Sequence, residues 1–443
     1  MKAAHRSLLA VAALALGACA HRPPPAAYDR AVGLETFDAA WRLVDETYFD
    51  TAFGGVDWTA LHAQLRPEAE RARSVGELRQ VIEAMLGRLR RSHFTLVPRE
   101  RSDSALGRAG PAARGSVGLD VRLLDGRVVV TRVEPGGAAT GAGIRPGWVV
   151  VTVGHDSAAA LVRRARAAGG IFRVESEAWA RVARALAAPP DSAVVVGLLD
   201  GADRPVRARL VSVAPPGEAV RLGNLPTVFV RFEHERVAGP GGASVGVLRF
   251  SGWMTPIMPR LDAAVDSFRA VDGVVVDLRG NTGGMGAMVA GVAGHFLERR
   301  DTLALMRDRR NLLAVAANPR LVSADARPVR PFSGPLAVLV DELTASASEV
   351  FAGGMQALGR ARVFGSRSMG AVQGAEWARL PNGDVLYHAV MSISLPRGGT
   401  LEGDGVAPDE PVAPTRGDLL AGRDPVMDAA VRWIATQTRG ASR

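Results

Sequence analysis

The sequence predicts a multidomain α/β protein: a helical N-terminal region, a β-rich module, and an α/β core on a mainly parallel sheet. Three observations predict it. Apolar residues recur at three-to-four spacing from about residue 33 to 98, short valine-rich runs broken by glycine and proline fill about 114 to 212, and buried-strand runs alternate with helix-period segments from about 215. At 443 residues the chain exceeds what one hydrophobic core usually supports, so two or three domains are expected. Aromatic residues are few and alanine, valine, glycine and leucine dominate, which suits closely packed aliphatic cores.

The formal net charge is +9, and arginine carries almost all of the positive charge, because Lys2 is the only lysine. Nucleic-acid binding would need arginines gathered on one face or interleaved with stacking aromatics. Here they are scattered from end to end, so no nucleic-acid partner is expected.

Lys2 and Arg6 precede the apolar run Ser7–Leu16, and small residues lead to Cys19, the single cysteine. A basic segment, a short apolar stretch and a small-residue cleavage point form a signal peptide at 1–18, which marks an exported protein. Leu16-Gly17-Ala18-Cys19 resembles the lipobox of bacterial lipoproteins, which implies lipidation of Cys19 and a membrane-anchored protein of the cell envelope, facing the periplasm or the exterior. The proline-rich stretch after it, within 19–32, reads as an extended tether.

The helical region, 33–112, shows Phe37, Trp41, Val44 and Tyr48 in one stripe and Leu78, Ile82, Met85, Leu86 and Leu89 in another. Ser74 with Glu77 has capping-box spacing, and Arg88, Arg90 and Arg91 suit a helix C-terminus. Ser92-His93-Phe94-Thr95-Leu96 then switches to strand-like alternation.

The module, 113–212, holds the runs Val117–Val121, Arg127–Thr131 and Trp148–Val153. Between the second and third lies Glu134-Pro135-Gly136-Gly137-Ala138-Ala139-Thr140-Gly141-Ala142-Gly143-Ile144-Arg145-Pro146-Gly147, which resembles the turn of a PDZ domain, with Trp148 where that family usually has aspartate. The resemblance implies that the loop with Val117, Gly118 and Leu119 offers amides to a peptide carboxylate and adds the peptide as a strand.

The core, 213–443 with a C-terminal helix, carries the chemistry. Val245–Phe250 and Gly273–Leu278 read as buried strands around a helix at Met258–Phe268, a βαβ unit. Asp277-Leu278-Arg279-Gly280-Asn281-Thr282-Gly283-Gly284 follows, a glycine turn whose amides can face a developing oxyanion. Leu336–Asp341 is a further buried strand, and Thr344-Ala345-Ser346-Ala347-Ser348-Glu349 comes directly after it at the start of a helix. That placement suits a nucleophile turn, although capping serines occupy the same position. A serine hydroxyl needs a base, and with lysine absent histidine leads. His388 lies in a strand pattern, where histidines are commonly structural, and His155 reads as solvated. No zinc-ligand spacing or phosphate-binding glycine loop occurs, and no cofactor or metal is expected.

The order of these motifs, with Glu402-Gly403-Asp404-Gly405-Val406-Ala407-Pro408-Asp409 near the end, resembles the carboxyl-terminal-processing (tail-specific) protease and tricorn-core superfamily of serine peptidases over nearly all of the chain. The resemblance implies a ClpP/crotonase-like core, Ser346 as nucleophile, Ser348 in support, and polypeptide substrates held through their C-termini. Tail-specific members place a lysine in Gly-Lys-Gly-x-Val-Gln. Here Gly365-Ser366-Arg367-Ser368-Met369-Gly370-Ala371-Val372-Gln373 has none, and arginine stays protonated at neutral pH. The tricorn-type branch uses a Ser-His pair and a late glutamate, which implies His93 as base, Ser92 as its link and Glu402 as the orienting carboxylate. Ala347 N–H with Gly283 or Gly284 N–H would form the oxyanion hole. A catalytically decayed protein of the same fold, binding peptides or apolar ligands, is the alternative, and a purely structural envelope scaffold a third.

Overall fold

The computed structural model describes residues 28–100, 115–168, 170–220 and 227–441. The signal peptide at 1–18, Cys19 and the tether to residue 27 lie outside the described residues.

Helices α1 (Arg30–Thr47), α2 (Trp58–Arg71) and α3 (Val75–Gly87) pack Phe37, Val44, Tyr48, Trp58, Leu65, Leu78, Ile82 and Met85 into one core. Asp29, Asp57 and Ser74 cap them by accepting hydrogen bonds from first-turn amides. Glu77 turns to the amide of Arg73 (2.9 Å) instead of Ser74, so the expected capping box is half formed. The expected strand at 92–96 is corrected: β1 spans only Thr95–Val97, with Ser92 and His93 in the turn before it. His93 has φ 63°, a left-handed conformation that an extended ladder cannot hold.

In the module, β2 (Leu119–Leu124), β3 (Arg127–Val133), β4 (Val149–Val153), β5 (Asp156–Ser157), helices α4 (Ala158–Ala167) and α5 (Val174–Leu186), β6 (Ala193–Leu199) and β7 (Pro205–Val211) follow one another. The sheet order is β2-β3-β4-β6-β7, all antiparallel, with the short β5 on β4. Val121, Val130, Val150, Leu161, Val182 and Leu198 fill the space between sheet and helices. Strand β2 forms one edge of this sheet.

After the small pair β8 (Glu218–Val220) and β9 (Val228–Val230) come β10 (Phe232–Ala238), β11 (Ser244–Phe250), α6 (Met258–Ser267), β12 (Gly273–Asp277), α7 (Gly286–Ala293), β13 (Asp301–Arg307), β14 (Leu312–Ala317), β15 (Leu336–Val340), α8 (Ala347–Ala357), β16 (Arg362–Gly365), β17 (Gln373–Arg379), β18 (Val385–Ser394), β19 (Glu410–Pro411) and α9 (Pro425–Ala441). The central sheet runs β10-β11-β12-β15-β16-β19, parallel except at β10. One face packs on α6, α7 and α8 through Leu248, Val274, Val276 and Val338, and the other on α9 through Val247, Val275, Leu339 and Ile434. Burial on both faces explains why these strands read as unbroken apolar runs.

A second, antiparallel sheet, β1-β18-β13-β14 with β17 on β18, contributes Met306, Val315 and Tyr387 to the cavity that holds Ser346. Pairing of Thr95, Leu96 and Val97 with Tyr387, Leu386 and Val385 sews the N-terminal helices to it.

At the end of β12 the buried Asp277 accepts two hydrogen bonds from the Arg279 guanidinium (2.9 and 2.8 Å) and one from its backbone N–H (3.1 Å), and the guanidinium also grips Asp424 before α9 (2.9 and 2.7 Å). Burial alone would raise the Asp277 carboxyl, but Arg279 and Arg249 outweigh it and hold the group well below the usual range. Replacing Arg279→Ala leaves a carboxylate that is 1 % exposed with the backbone N–H of residue 279 (3.1 Å) and the longer 3.6 Å contact to Arg249 in place of the guanidinium. Thermal or urea unfolding should show a loss of about 3 kcal/mol or more, and an unchanged midpoint would refute this reading of the node.

Candidate active site

The chain leaves β15 at Val340 and reaches Ser346 at the head of α8. Ser346 takes φ 56° and ψ −120°, a strained backbone state that costs on the order of 1–3 kcal/mol and persists only where neighbours fix it. Its N–H is shared between Ala371 O (2.9 Å) and Glu349 Oε2 (3.0 Å), and Ala345 N–H donates to Asn281 O (3.1 Å). Ser348 Oγ accepts from the buried Trp253 indole (2.8 Å), which ties the first turn of α8 to the segment after β11.

The glycine turn lies against Ser346. A Cβ on Gly283 would come within 2.7 Å of Ser346 Cβ and 3.1 Å of Ala347 N, so only glycine fits there. The two glycines are not equivalent. Gly283 N–H donates to Asn281 Oδ1 (3.0 Å), which removes it from the expected oxyanion hole. Gly284 N–H lies outside both bonds of the Trp253 bridge, which run from Trp253 N–H to Gly283 O and from Met285 N–H to Trp253 O. Gly284 and Ala347 line the cavity that holds Ser346, and Ala347 N–H is an orphan donor of a helix first turn. The pair of donors available for an oxyanion is thus Ala347 and Gly284.

Ser92, His93 and Glu402, drawn from regions 310 residues apart, form one chain of hydrogen bonds. Glu402 accepts from Ser92 N–H (2.8 Å), Ser92 Oγ (2.8 Å) and Val372 N–H (2.8 Å). Ser92 Oγ lies 2.6 Å from His93 Nδ1. Because the hydroxyl proton goes to the carboxylate, Ser92 Oγ must accept from Nδ1–H, and this tautomer leaves the Nε2 lone pair free. Burial lowers the imidazole from 6.5 to about 4, so it is a neutral base at pH 7. Its ring packs on Tyr387 (5.4 Å between centroids), and Tyr387 lines the Ser346 cavity. Among the described residues no hydrogen bond joins His93 to Ser346.

The rival base is excluded by position. His388 follows Tyr387 on β18, faces the opposite side, and contacts Thr47 Oγ1 (3.0 Å) under the helical layer. His155 is exposed.

Around Ser346 a cavity of about 220 Å³ is lined by Met306, Val315, Val350, Val390, Met391 and Ile393, with Gly284 and Ala347 at the nucleophile. Val117, Gly118 and Leu119 do not join this site. Val117 is buried in the module, and Gly118 and Leu119 line a separate cleft with Glu134, Phe229 and Arg231. The module nevertheless touches the catalytic layer: Arg122 on β2 donates to Asp341 Oδ2 (3.0 and 2.8 Å), while Asp341 Oδ1 accepts from Gly280 N–H (2.8 Å) and Leu343 N–H (3.1 Å).

Four contributors were not foreseen from the sequence: Asn281, Trp253, Tyr387 and Arg122. A fifth, Glu349, carried a signal, since it stands three residues after Ser346 at capping-box spacing.

Residues 244–412 match peptidase family S41, and residues 34–87 match the tricorn protease C1 domain. A putative tricorn protease homolog 2 of Streptomyces coelicolor is 28% identical over 430 residues, covering 93% of this chain and 32% of the relative. The chloroplastic C-terminal processing peptidase of Tetradesmus obliquus is 28% identical over 390 residues, 85% of this chain and 77% of that one. The solved photosystem II D1 C-terminal processing protease superposes with TM-score 0.57 at 27% identity, covering 86% of this chain and 93% of that one. The chain thus spans about a third of the length of the tricorn homologue.

The folded imidazole of His93 stays unprotonated down to about 4, whereas an unfolded one takes up a proton near 6.5. The unfolded state therefore binds more protons between these values, and this contribution to stability, full above 6.5, is lost as pH falls toward 4. Unfolding midpoints of wild type should drop more steeply over that window than those of His93→Asn. Parallel pH dependences would show that His93 is not buried as the neutral form.

Proposed function

We propose, for a chain that belongs to the carboxyl-terminal-processing and tricorn-core superfamily of serine peptidases, that it is an endopeptidase cleaving polypeptides through an acyl-enzyme on Ser346, with His93 as general base. The observation that carries this reading is the strained Ser346 beside two oriented amides, joined through the backbone of Ala371 and Val372 to a neutral histidine tied to a carboxylate.

In this reading Ser346 Oγ attacks the scissile carbonyl carbon as its proton passes to His93 Nε2. Negative charge develops on the former carbonyl oxygen and is met by Ala347 and Gly284 N–H. Ser92 and Glu402 stabilise the imidazolium and keep it in register. His93 then returns the proton to the departing amine as the C–N bond breaks. Water, losing a proton to the same histidine, attacks the acyl carbon; the acyl–Oγ bond breaks and His93 returns that proton to Ser346 Oγ. The Oγ–Nε2 contact tightens on substrate binding, as serine–histidine pairs in empty sites commonly do. The aliphatic part of the cavity wall, Met306, Val315, Val390, Met391 and Ile393, suits an apolar side chain on the acyl side of the cleaved bond, while Gln373 and Glu376 supply its polar part.

Two further parts belong to the proposal. The PDZ-like motif supports the module as a holder of substrate C-termini. The leader pattern ending at Cys19 supports export and lipid anchoring in a bacterial envelope, facing the periplasm or the exterior. Radiolabelled palmitate should enter the wild-type protein in cells and not Cys19→Ser; equal incorporation would refute Cys19 as the anchor.

The absent Ser346–His93 hydrogen bond is the observation that favours the alternative, an inert binding protein of the same fold. Labelling with a fluorophosphonate separates the two. Wild type should react, Ser346→Ala should not, and His93→Ala should react about 100-fold to 10,000-fold more slowly, the usual span for loss of a general base. Equal labelling of all three would overturn the assignment.

A further inference from the structure

Glu349 is wholly buried, yet the mechanism above gives it no proton to move. Four donors converge on it. Oε1 accepts from Ser368 Oγ (2.5 Å) and Gly370 N–H (2.7 Å), and Oε2 from Ala371 N–H (3.0 Å) and Ser346 N–H (3.0 Å). Ser368 Oγ accepts in turn from Val406 N–H (2.6 Å), so its proton is committed to the carboxylate. With four donors on its two oxygens the site fits a carboxylate, and a carboxylic acid proton would find only Ser368 Oγ, which would have to withdraw its own donated proton.

The same strip carries the other half of the site. Ala371 O accepts from Ser346 N–H, and the next residue, Val372, donates to Glu402. Glu349 thus fixes the nucleophile turn against the strip from which the His93 relay hangs. The charged and titratable side chains on the elements around it are Arg367 on the strip, Glu402 and Asp404 on the late loop, and His93 beyond Ser92. Arg367 bonds the carbonyl of Asp404 (3.2 Å), and among the described residues none of these four bonds Glu349. Among the described residues no cation pairs with it.

We propose that Glu349 is a positioning residue for Ser346, and that only its ionised form locks the nucleophile turn to Gly370–Ala371, so that the site assembles as this carboxyl loses its proton. The inference rests on Ser346 being the nucleophile. Burial pushes the Glu349 carboxyl up to about 7 against the pull of its four hydrogen bonds, whereas His93 titrates near 4. The two groups therefore give separable limbs in a pH profile.

The test is the second-order rate of fluorophosphonate labelling of the full chain from about pH 5.5 to about pH 9, a range above the His93 limb. Wild type should react about tenfold more slowly near pH 6 than near pH 8, the ratio set by a single ionisation near 7. Glu349→Gln puts an amide N–H₂ against donors; it should be slower at every pH and lose the inflection. Ser368→Ala removes one stabilising donor but leaves the carboxylate, so its inflection should move to higher pH, which keeps the test available if Glu349→Gln does not fold. A wild-type rate that is level across the range, a Glu349→Gln profile with the wild-type inflection, or an unmoved inflection in Ser368→Ala would each overturn the proposal. Labelling that persists in Ser346→Ala would instead overturn the peptidase reading on which it stands.

Discussion

Three consecutive amides, those of Gly370, Ala371 and Val372, are divided between two carboxylates, and the geometry of the site depends on that division. The first two bind Glu349, which rises from the nucleophile helix; the third binds Glu402, which holds Ser92 and through it His93. The strip has no side chain capable of catalysis, and its work is done by backbone. Since the three amides are consecutive, with successive Cα atoms about 3.8 Å apart, the separation of Ser346 from the histidine relay follows from which amide each carboxylate takes.

Two longer-range constraints bring the halves to that strip. Pairing of β1 with β18 delivers the turn holding Ser92 and His93 to the face where Tyr387 lines the cavity. The parallel central sheet places the glycine turn after β12 beside the serine turn after β15, because adjacent parallel strands end at one edge. Asp341 cross-links these two turns and also receives Arg122 from the module's edge strand, so the module and the turn holding Ser346 share a residue.

The sequence announced what is carried by local pattern. Buried runs marked β11, β12 and β15, stripes marked α1 to α3, and the lack of lysine turned attention from the 365–373 stretch to His93. What it hid depends on side chains meeting across the fold. The choice between Gly283 and Gly284 is made by the Asn281 amide, which consumes one N–H. Glu349 fits the spacing of a cap, but its other three donors come from residues about twenty positions later. The strand expected at Ser92 gave way to a left-handed turn at His93, beside a Ser92 whose N–H is held by Glu402 from the far end of the chain.

The most direct test of a Ser346–His93 unit is a crystal structure of the phosphonylated protein. The account requires phosphorus on Ser346 Oγ, the phosphoryl oxygen within about 3 Å of both Ala347 and Gly284 N–H, and His93 Nε2 within hydrogen-bonding reach of the adduct. An adduct on another residue, or one on Ser346 whose oxygen is held by neither amide while His93 stays out of reach, would contradict it.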